Sequence, residues 1–217
     1  MQKIVTLSVG RPKEYEWKGK QEKSGIGKSI VNEVRLTKDG FIGDEVAAPE
    51  FHGGPDRAVC LYPFEHYAMW EKEFGQILQP PAFGENICVT NMLEKDTYIG
   101  DTYLLGETVI QVTQGRVPCS KISKFNGIDK LLGRIVETGF TGYFFRVLQE
   151  GTVKSDAELK LIDRTQEKIT ILRANEVMLH DKKNIVAIEE ILQVNELADE
   201  WRNSLTKTLK KLTEKSL

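Results

Sequence analysis

Over the first three quarters of the chain, apolar positions come in short runs broken by glycine, proline and charged turns. Lys3–Val9 is rich in β-branched residues. Ser29–Leu36 sets Ile30, Val31, Val34 and Leu36 among polar partners and stops at the turn signal Asp39-Gly40. Ala58–Tyr62 is a short apolar run ended by Pro63. Tyr98–Leu104 and Thr108–Thr113 flank Gly106, and the second alternates Val/Gln/Val. Tyr143–Leu148 and Glu158–Ile162 complete the set. Runs of this length and period, separated by turn residues, predict strands. Many short strands with little helix between them predict a barrel or sandwich rather than a βαβ sheet.

Two helices interrupt the strands. One starts at Pro63, a favoured first helical position, and runs through PFEHYAMWEKEF to Gly75. The other is GIDKLLGRIVETG, where Ile128, Leu131, Leu132, Ile135 and Val136 form one apolar stripe and Gly139 caps the C-terminus. Near residue 165 helical spacing replaces the strand signals. Thr170 caps a helix running to His180, Asn184 caps IVAIEEILQ, and Leu197, Trp201, Leu205 and Leu209 recur every fourth residue before Leu212. The chain therefore divides into a mainly β unit with helices (α+β), residues 1–164, and a three-helix unit, residues 165–217.

Composition narrows the class. The 217 residues carry 30 Lys+Arg against 32 Asp+Glu, so no global positive field points to a nucleic acid polymer. The three cysteines, Cys60, Cys88 and Cys119, are widely spaced; their odd count fits a reducing compartment, and no CxxC or close Cys/His pairing marks a zinc or iron–sulfur site. No apolar stretch has the length of a membrane span, and the N-terminus lacks the apolar run of a signal peptide. A cytoplasmic protein is expected.

Four stretches carry candidate chemistry. SGIGKSIV (24–31) resembles a phosphate loop, but a Walker A motif needs glycine where Glu22 stands, and the third glycine of a dinucleotide fingerprint falls on Ile30. It remains a flexible loop delivering Lys28 and Ser29, either as solvated groups or as anion contacts. FHGGPDRAV (51–59) places His52 before two glycines whose amides can approach a ligand, with Arg57 at the following turn; a plain Gly-Gly-Pro turn reads equally well. FGENICV (83–89) offers Asn86, either to a heterocycle's polar edge or to a turn. GRVPCSK (115–121) sets Cys119 between Arg116 and Lys121, a cationic setting that suits a sulfur acting as an anionic ligand. No histidine is adjacent to serve as its base, so a cysteine protease has little support, whereas a soft metal needs no base. An inert buried thiol is the alternative. Cys60 and Cys88 lie in apolar runs and read as core. Tyr143, Phe144 and Phe145 read as core packing, with a stacking wall for a planar substrate as the other use.

Taken together, GKSIV, GDEVAAPEFHGGPDRAV with Tyr67 and Trp70 downstream, FGENI, and VTQGRVPCSK resemble a MOSC domain, in order and approximate spacing. The likeness is closest to the bacterial YiiM-like group, which carries a C-terminal three-helix domain, and it covers nearly the whole chain. It implies a β-barrel-like core that binds the molybdenum cofactor, a phosphorylated pterin with a dithiolene. It implies that Cys119 is the protein ligand to molybdenum, and that Lys28, Ser29, His52, Arg57, Asn86, Arg116 and Lys121 line the cofactor site. Many relatives have proline at the position of Gly115, so a looser approach to Arg116 is expected.

The resemblance also implies an activity: two-electron reduction of N-hydroxylated compounds such as N-hydroxylaminopurine base analogues. Cys119 would hold the metal, and His52 or Arg57 would supply a proton or hydrogen bond. Without a cluster motif or nucleotide fingerprint in the chain, the expected partner is a separate electron-donating reductase. The competing class is a non-catalytic carrier of the molybdenum cofactor, or of sulfane sulfur, on Cys119.

Overall fold

The computed structural model describes residues 2–49 and 53–214. Among these, the strands are β1 (Gln2–Val9), β2 (Lys13–Trp17), β3 (Lys20–Ser24), β4 (Ser29–Ile30), β5 (Glu33–Thr37), β6 (Gly40–Phe41) and β7 (Val59–Pro63). They continue as β8 (Ile87–Val89), β9 (Thr102–Leu105), β10 (Thr108–Gly115), β11 (Tyr143–Gln149), β12 (Gly151–Lys154) and β13 (Glu158–Asp163). The helices are α1 (Glu65–Phe74), α2 (Lys121–Asn126), α3 (Leu131–Thr138), α4 (Ile171–Leu179), α5 (Ile185–Leu192) and α6 (Asp199–Glu214).

Strands β13, β9, β10, β11, β7, β8 and β1 are hydrogen-bonded in that order, and β1 returns to β13, which closes a barrel. Pairing is antiparallel except between β7 and β8, whose connection contains α1. The fold is α+β with a barrel core, as the alternation of short apolar runs predicts. β12, β5 and β6 form a small side sheet, and β2 and β3 form a separate hairpin.

Several boundaries differ from the sequence reading. The run 29–36 is two strands, because Val31 donates to Leu7 O at 2.9 Å and the chain then leaves β1 for β12. Residues 98–101 form a turn, with Asp101 donating to Tyr98 O at 3.1 Å, so the strand starts only at Thr102. Pro63 ends β7 instead of opening α1. The caps fall where expected: Thr170 Oγ1 accepts from Arg173 N and Asn184 Oδ1 from Ala187 N, both at 3.0 Å, while Gly75 and Gly139 close α1 and α3 in left-handed conformations.

One apolar core joins the barrel to the C-terminal helices. Leu7, Leu61, Val112 and Phe145 from the barrel cluster with Ile171, Ala174, Ile188 and Trp201. β10 records this junction. It alternates buried and half-buried from Thr108 to Gln111, then is buried throughout from Val112 to Gly115, where helices cover its outer face. A second cluster packs α1, α2 and α3 around Tyr62, Tyr67, Trp70 and Phe83. Among the described residues, no helix is long and apolar enough to cross a membrane.

Candidate functional site

A cavity of about 670 Å³ opens among the loop 23–28, the turns 39–49 and 53–60, Gly84, Asn86, residues 114–121, Phe144 and Glu200. That volume is typical of a site for a small molecule or cofactor. The four sequence stretches singled out above therefore meet at one place. They are far apart in the chain because the barrel's strand order interleaves them.

Cys119 reaches the wall through an interrupted strand. The sheet's last bond here is from Arg116 N to Gly142 O at 3.0 Å; Val117 and Pro118 then leave the barrel, and α2 starts two residues after Cys119. The connection leaves Cys119 half-buried and lining the cavity. Cys88 is fully buried away from the cavity, as expected of a core thiol. Cys60 is buried too, and burial pushes its thiol up, but it also lines the cavity.

Five of the expected site residues line this cavity: Lys28, Arg57, Asn86, Arg116 and Lys121, in addition to Cys119. Each is already engaged. The Lys28 ammonium pairs with Asp44, which also accepts from Gly10 N at 2.8 Å and Asn86 Nδ2 at 2.9 Å. Asn86 Oδ1 accepts from Cys60 N at 3.0 Å, so Asn86 clamps three chain segments together and does not cap a turn. Arg116 Nη1 donates to Phe83 O. Arg57 pairs with Glu200 at 2.8 Å. Lys121 pairs with Glu22 and lies 4.9 Å from the centre of the Trp17 ring. The positive charges beside Cys119 are thus held by partners rather than left as an open field.

Two expectations need correction. Ser29 is exposed in β4, paired in register with Val9, and is not among the lining residues. The loop's glycines turn Lys28 inward while β4 carries Ser29 out. Gly115 does not loosen the approach to Arg116: it is a buried residue of β10, in register with Tyr143. Its missing side chain serves packing, since a Cβ there would lie 1.8 Å from Asn175 Oδ1. His52 lies outside the described residues. His66 is buried at 2.7 Å from Glu94, and His180 Nε2 lies 2.8 Å from Val136 O; neither lines the cavity.

Behind the wall a buried carboxyl sets the backbone. Glu85 accepts from the Tyr67 hydroxyl and from Phe83 N at 3.0 Å, and burial pushes its carboxyl up. It thereby fixes the Phe83 carbonyl that holds Arg116. Sequence reasoning missed Asp44, Glu200, Gln114 and the wall position of Cys60; of the aromatic run 143–145, read first as core, Phe144 lines the cavity. Asp44 stands in the quoted GDEV segment and had a signal, an acid in a glycine turn. Glu200 had none, because its partner Arg57 is remote in sequence. Gln114 is buried at the wall, and its Oε1 has no hydrogen-bond partner among the described residues.

Residues 48–160 match the MOSC domain. The chain belongs to the MOSC family. Residues 169–212 match the YiiM-like 3-alpha helix domain. The protein YflK of Bacillus subtilis (strain 168) is 42% identical over 205 residues, covering 94% of this chain and 93% of YflK. The crystal structure of YiiM from Geobacillus stearothermophilus superposes with a TM-score of 0.81 at 33% identity, covering 96% of this chain and all of that one. A protein of Gibberella moniliformis (strain M3125 / FGSC 7600) named "Reductase" is 32% identical over 200 residues, covering 88% of this chain and 35% of its own length.

Could this MOSC cavity hold the molybdenum cofactor? Its donor set fits. One half-exposed sulfur faces a space of suitable volume, cations and an amide lie on the same wall, and a buried acceptor lacks a partner. No group of three or more His, Cys, Asp or Glu side chains is placed to hold a metal among the described residues, so a metal on Cys119 would draw its remaining ligands from the cofactor's own dithiolene.

Proposed function

We propose that the cavity binds the molybdenum cofactor and that the protein reduces N-hydroxylated compounds, N-hydroxylaminopurines among them, with electrons from a separate reductase. The observation that carries this reading is Cys119, the half-exposed cysteine on the wall of a cofactor-sized cavity. Membership of the MOSC family and a relative named a reductase support it.

When bound, the cofactor supplies the two-electron chemistry by which an N-hydroxyl group, two electrons and two protons become an amine and water. The chain's own part is binding and placement. Cys119 offers the sulfur ligand. Arg116, and Lys28 together with its partner Asp44, place charged groups on the wall that an anionic cofactor would meet. Asn86 and Asp44 hold Lys28 in place. Arg57 offers guanidinium N–H donors to an anionic group, and His52 or Arg57 would supply the proton or hydrogen bond. Phe144 offers a ring to a planar substrate.

The test is reduction of N-hydroxylaminopurine by molybdenum-loaded protein with an artificial electron donor. Activity in the native protein and its loss in Cys119→Ala are expected. Equal rates in both would remove the catalytic assignment. A persulfide on Cys119 in a protein that takes up no molybdenum would support the sulfur-carrier reading instead.

A further inference from the structure

Helix α6 reaches the cavity through Glu200, in its first turn. Glu200 Oε2 lies 2.8 Å from Arg57 Nη1, yet the partners are unequal: the Arg57 side chain is 14% exposed and that of Glu200 51%. Arg57 has an anchor independent of Glu200, because its Nε donates to Gly53 O at 2.9 Å. The helix is anchored independently as well. Asp199 N donates to Asp56 Oδ2 at 2.9 Å, Asp56 is paired with Arg146 at 2.7 Å, and the neighbouring Trp201 belongs to the core. Neither backbone depends on the Glu200–Arg57 contact for its place.

The other carboxylates that hold the cavity's cations are built differently. Asp44 is tied at once to Lys28, Gly10 N and Asn86, and its side chain is 13% exposed. Glu22 carries Lys121 and Lys124 together, and their hydrogen bonds lower its carboxyl to about 2. Among the described residues, Glu200 has one cation to hold and open solvent beside it.

We propose that Glu200 is an exchangeable counter-ion that sets the affinity of the cavity for anions: an anionic group of the ligand takes Arg57 by displacing it. The inference rests on the reading of the cavity as a site for an anionic ligand. A guanidinium fork accepts carboxylate or phosphate in the same two-pronged geometry. With a carboxylate already seated, a second carboxylate of equal charge gains little by replacing it. A phosphate dianion gains more, because it brings twice the charge to Arg57 and to the neighbouring cations. Glu200 thus lowers the affinity for either kind of anion by a common factor, and the extra charge of phosphate is what keeps its binding detectable against that competition. The helical unit thereby supplies a working part of the cavity.

The experiment follows the Arg57 Nε–H signal by NMR during titration with inorganic phosphate, and separately with acetate, in the native protein and in Glu200→Gln. Glutamine keeps the shape and removes the charge at a half-exposed position, so the fold is retained; Glu200→Ser provides a second neutral variant. In the native protein the signal should move with phosphate and not with equal acetate. In both variants phosphate should bind about two- to fivefold tighter, the scale of one partly exposed ion pair, and acetate should now register. Phosphate affinity unchanged or weakened in both variants overturns the inference, since Glu200 would then position Arg57 rather than compete for it; the anion-site reading would survive. An Arg57 signal indifferent to phosphate in every protein overturns the inference and the anion-site reading together.

Discussion

Asp44 shows how much one side chain carries here. It faces the Lys28 ammonium in a setting where both side chains are largely buried, and two further donors point at it. Removing one partner of a buried pair strands the other charge. Asp44→Ala is therefore expected to lower stability by about 3–5 kcal/mol, read as a shift in the urea midpoint, and a double variant with Lys28→Met should recover part of the loss. Equal loss in single and double variants would show that the pair is not the cause. Cys119 was legible in the sequence because its neighbours are unusual: proline before, cations on both sides. Their pairing was not legible, because Phe83, which accepts from Arg116, and Glu22, which pairs with Lys121, come from other segments of the chain.

Among the elements, the β2–β3 hairpin was the least legible. Lys13–Trp17 and Lys20–Ser24 are polar strands, so no apolar alternation marks them. What holds the hairpin is its contact with α2: Glu22 takes Lys121 and Lys124, Trp17 lies under both lysines, and Tyr15 packs edge-on against Phe125. Hydrogen bonds from Lys121 and then Lys124 lower the Glu22 carboxyl to about 2, against an ordinary value of 4.5. Because the folded value is the lower one, the stabilisation is complete above the ordinary value and disappears as pH falls through the folded value. The stability difference between native protein and Glu22→Gln should thus be largest above pH 5 and vanish toward pH 2, as measured by denaturant titration at each pH. A pH-independent difference would contradict the assignment.

Gly115 makes the same point for β10. Asn175 is held by Gly139 O at 2.8 Å and Thr141 Oγ1 at 2.9 Å, so it cannot swing aside cheaply for a new methyl group. Gly115→Ala should cost about 1–3 kcal/mol by overpacking. Thermal denaturation checks it, and an unchanged Tm would show that α4 yields instead. No local pattern announced this contact: the glycine was visible in the sequence, but its reason sits on a helix far along the chain.

For the molecule as a whole, the barrel and the helices share one apolar core. The sequence marked the helices clearly, since a four-residue apolar spacing and two capping side chains are local signals. It did not mark their union with the barrel, because an apolar stripe does not name the surface that covers it. Trp201 is 1% exposed and sits at this junction. Trp201→Ala should destabilise the protein by about 3–5 kcal/mol and leave a single cooperative transition. Two separated transitions would mean that the helices and the barrel fold independently.

We propose above that Cys119 binds the molybdenum of a pterin cofactor in the cavity. Elemental analysis of protein purified from cells with an intact cofactor pathway tests it most directly. About one molybdenum per chain, the expectation for a single sulfur ligand, with pterin fluorescence released on denaturation and both lost in Cys119→Ala, is the result expected. Equal molybdenum in the native and Cys119→Ala proteins, or none in either, would contradict it.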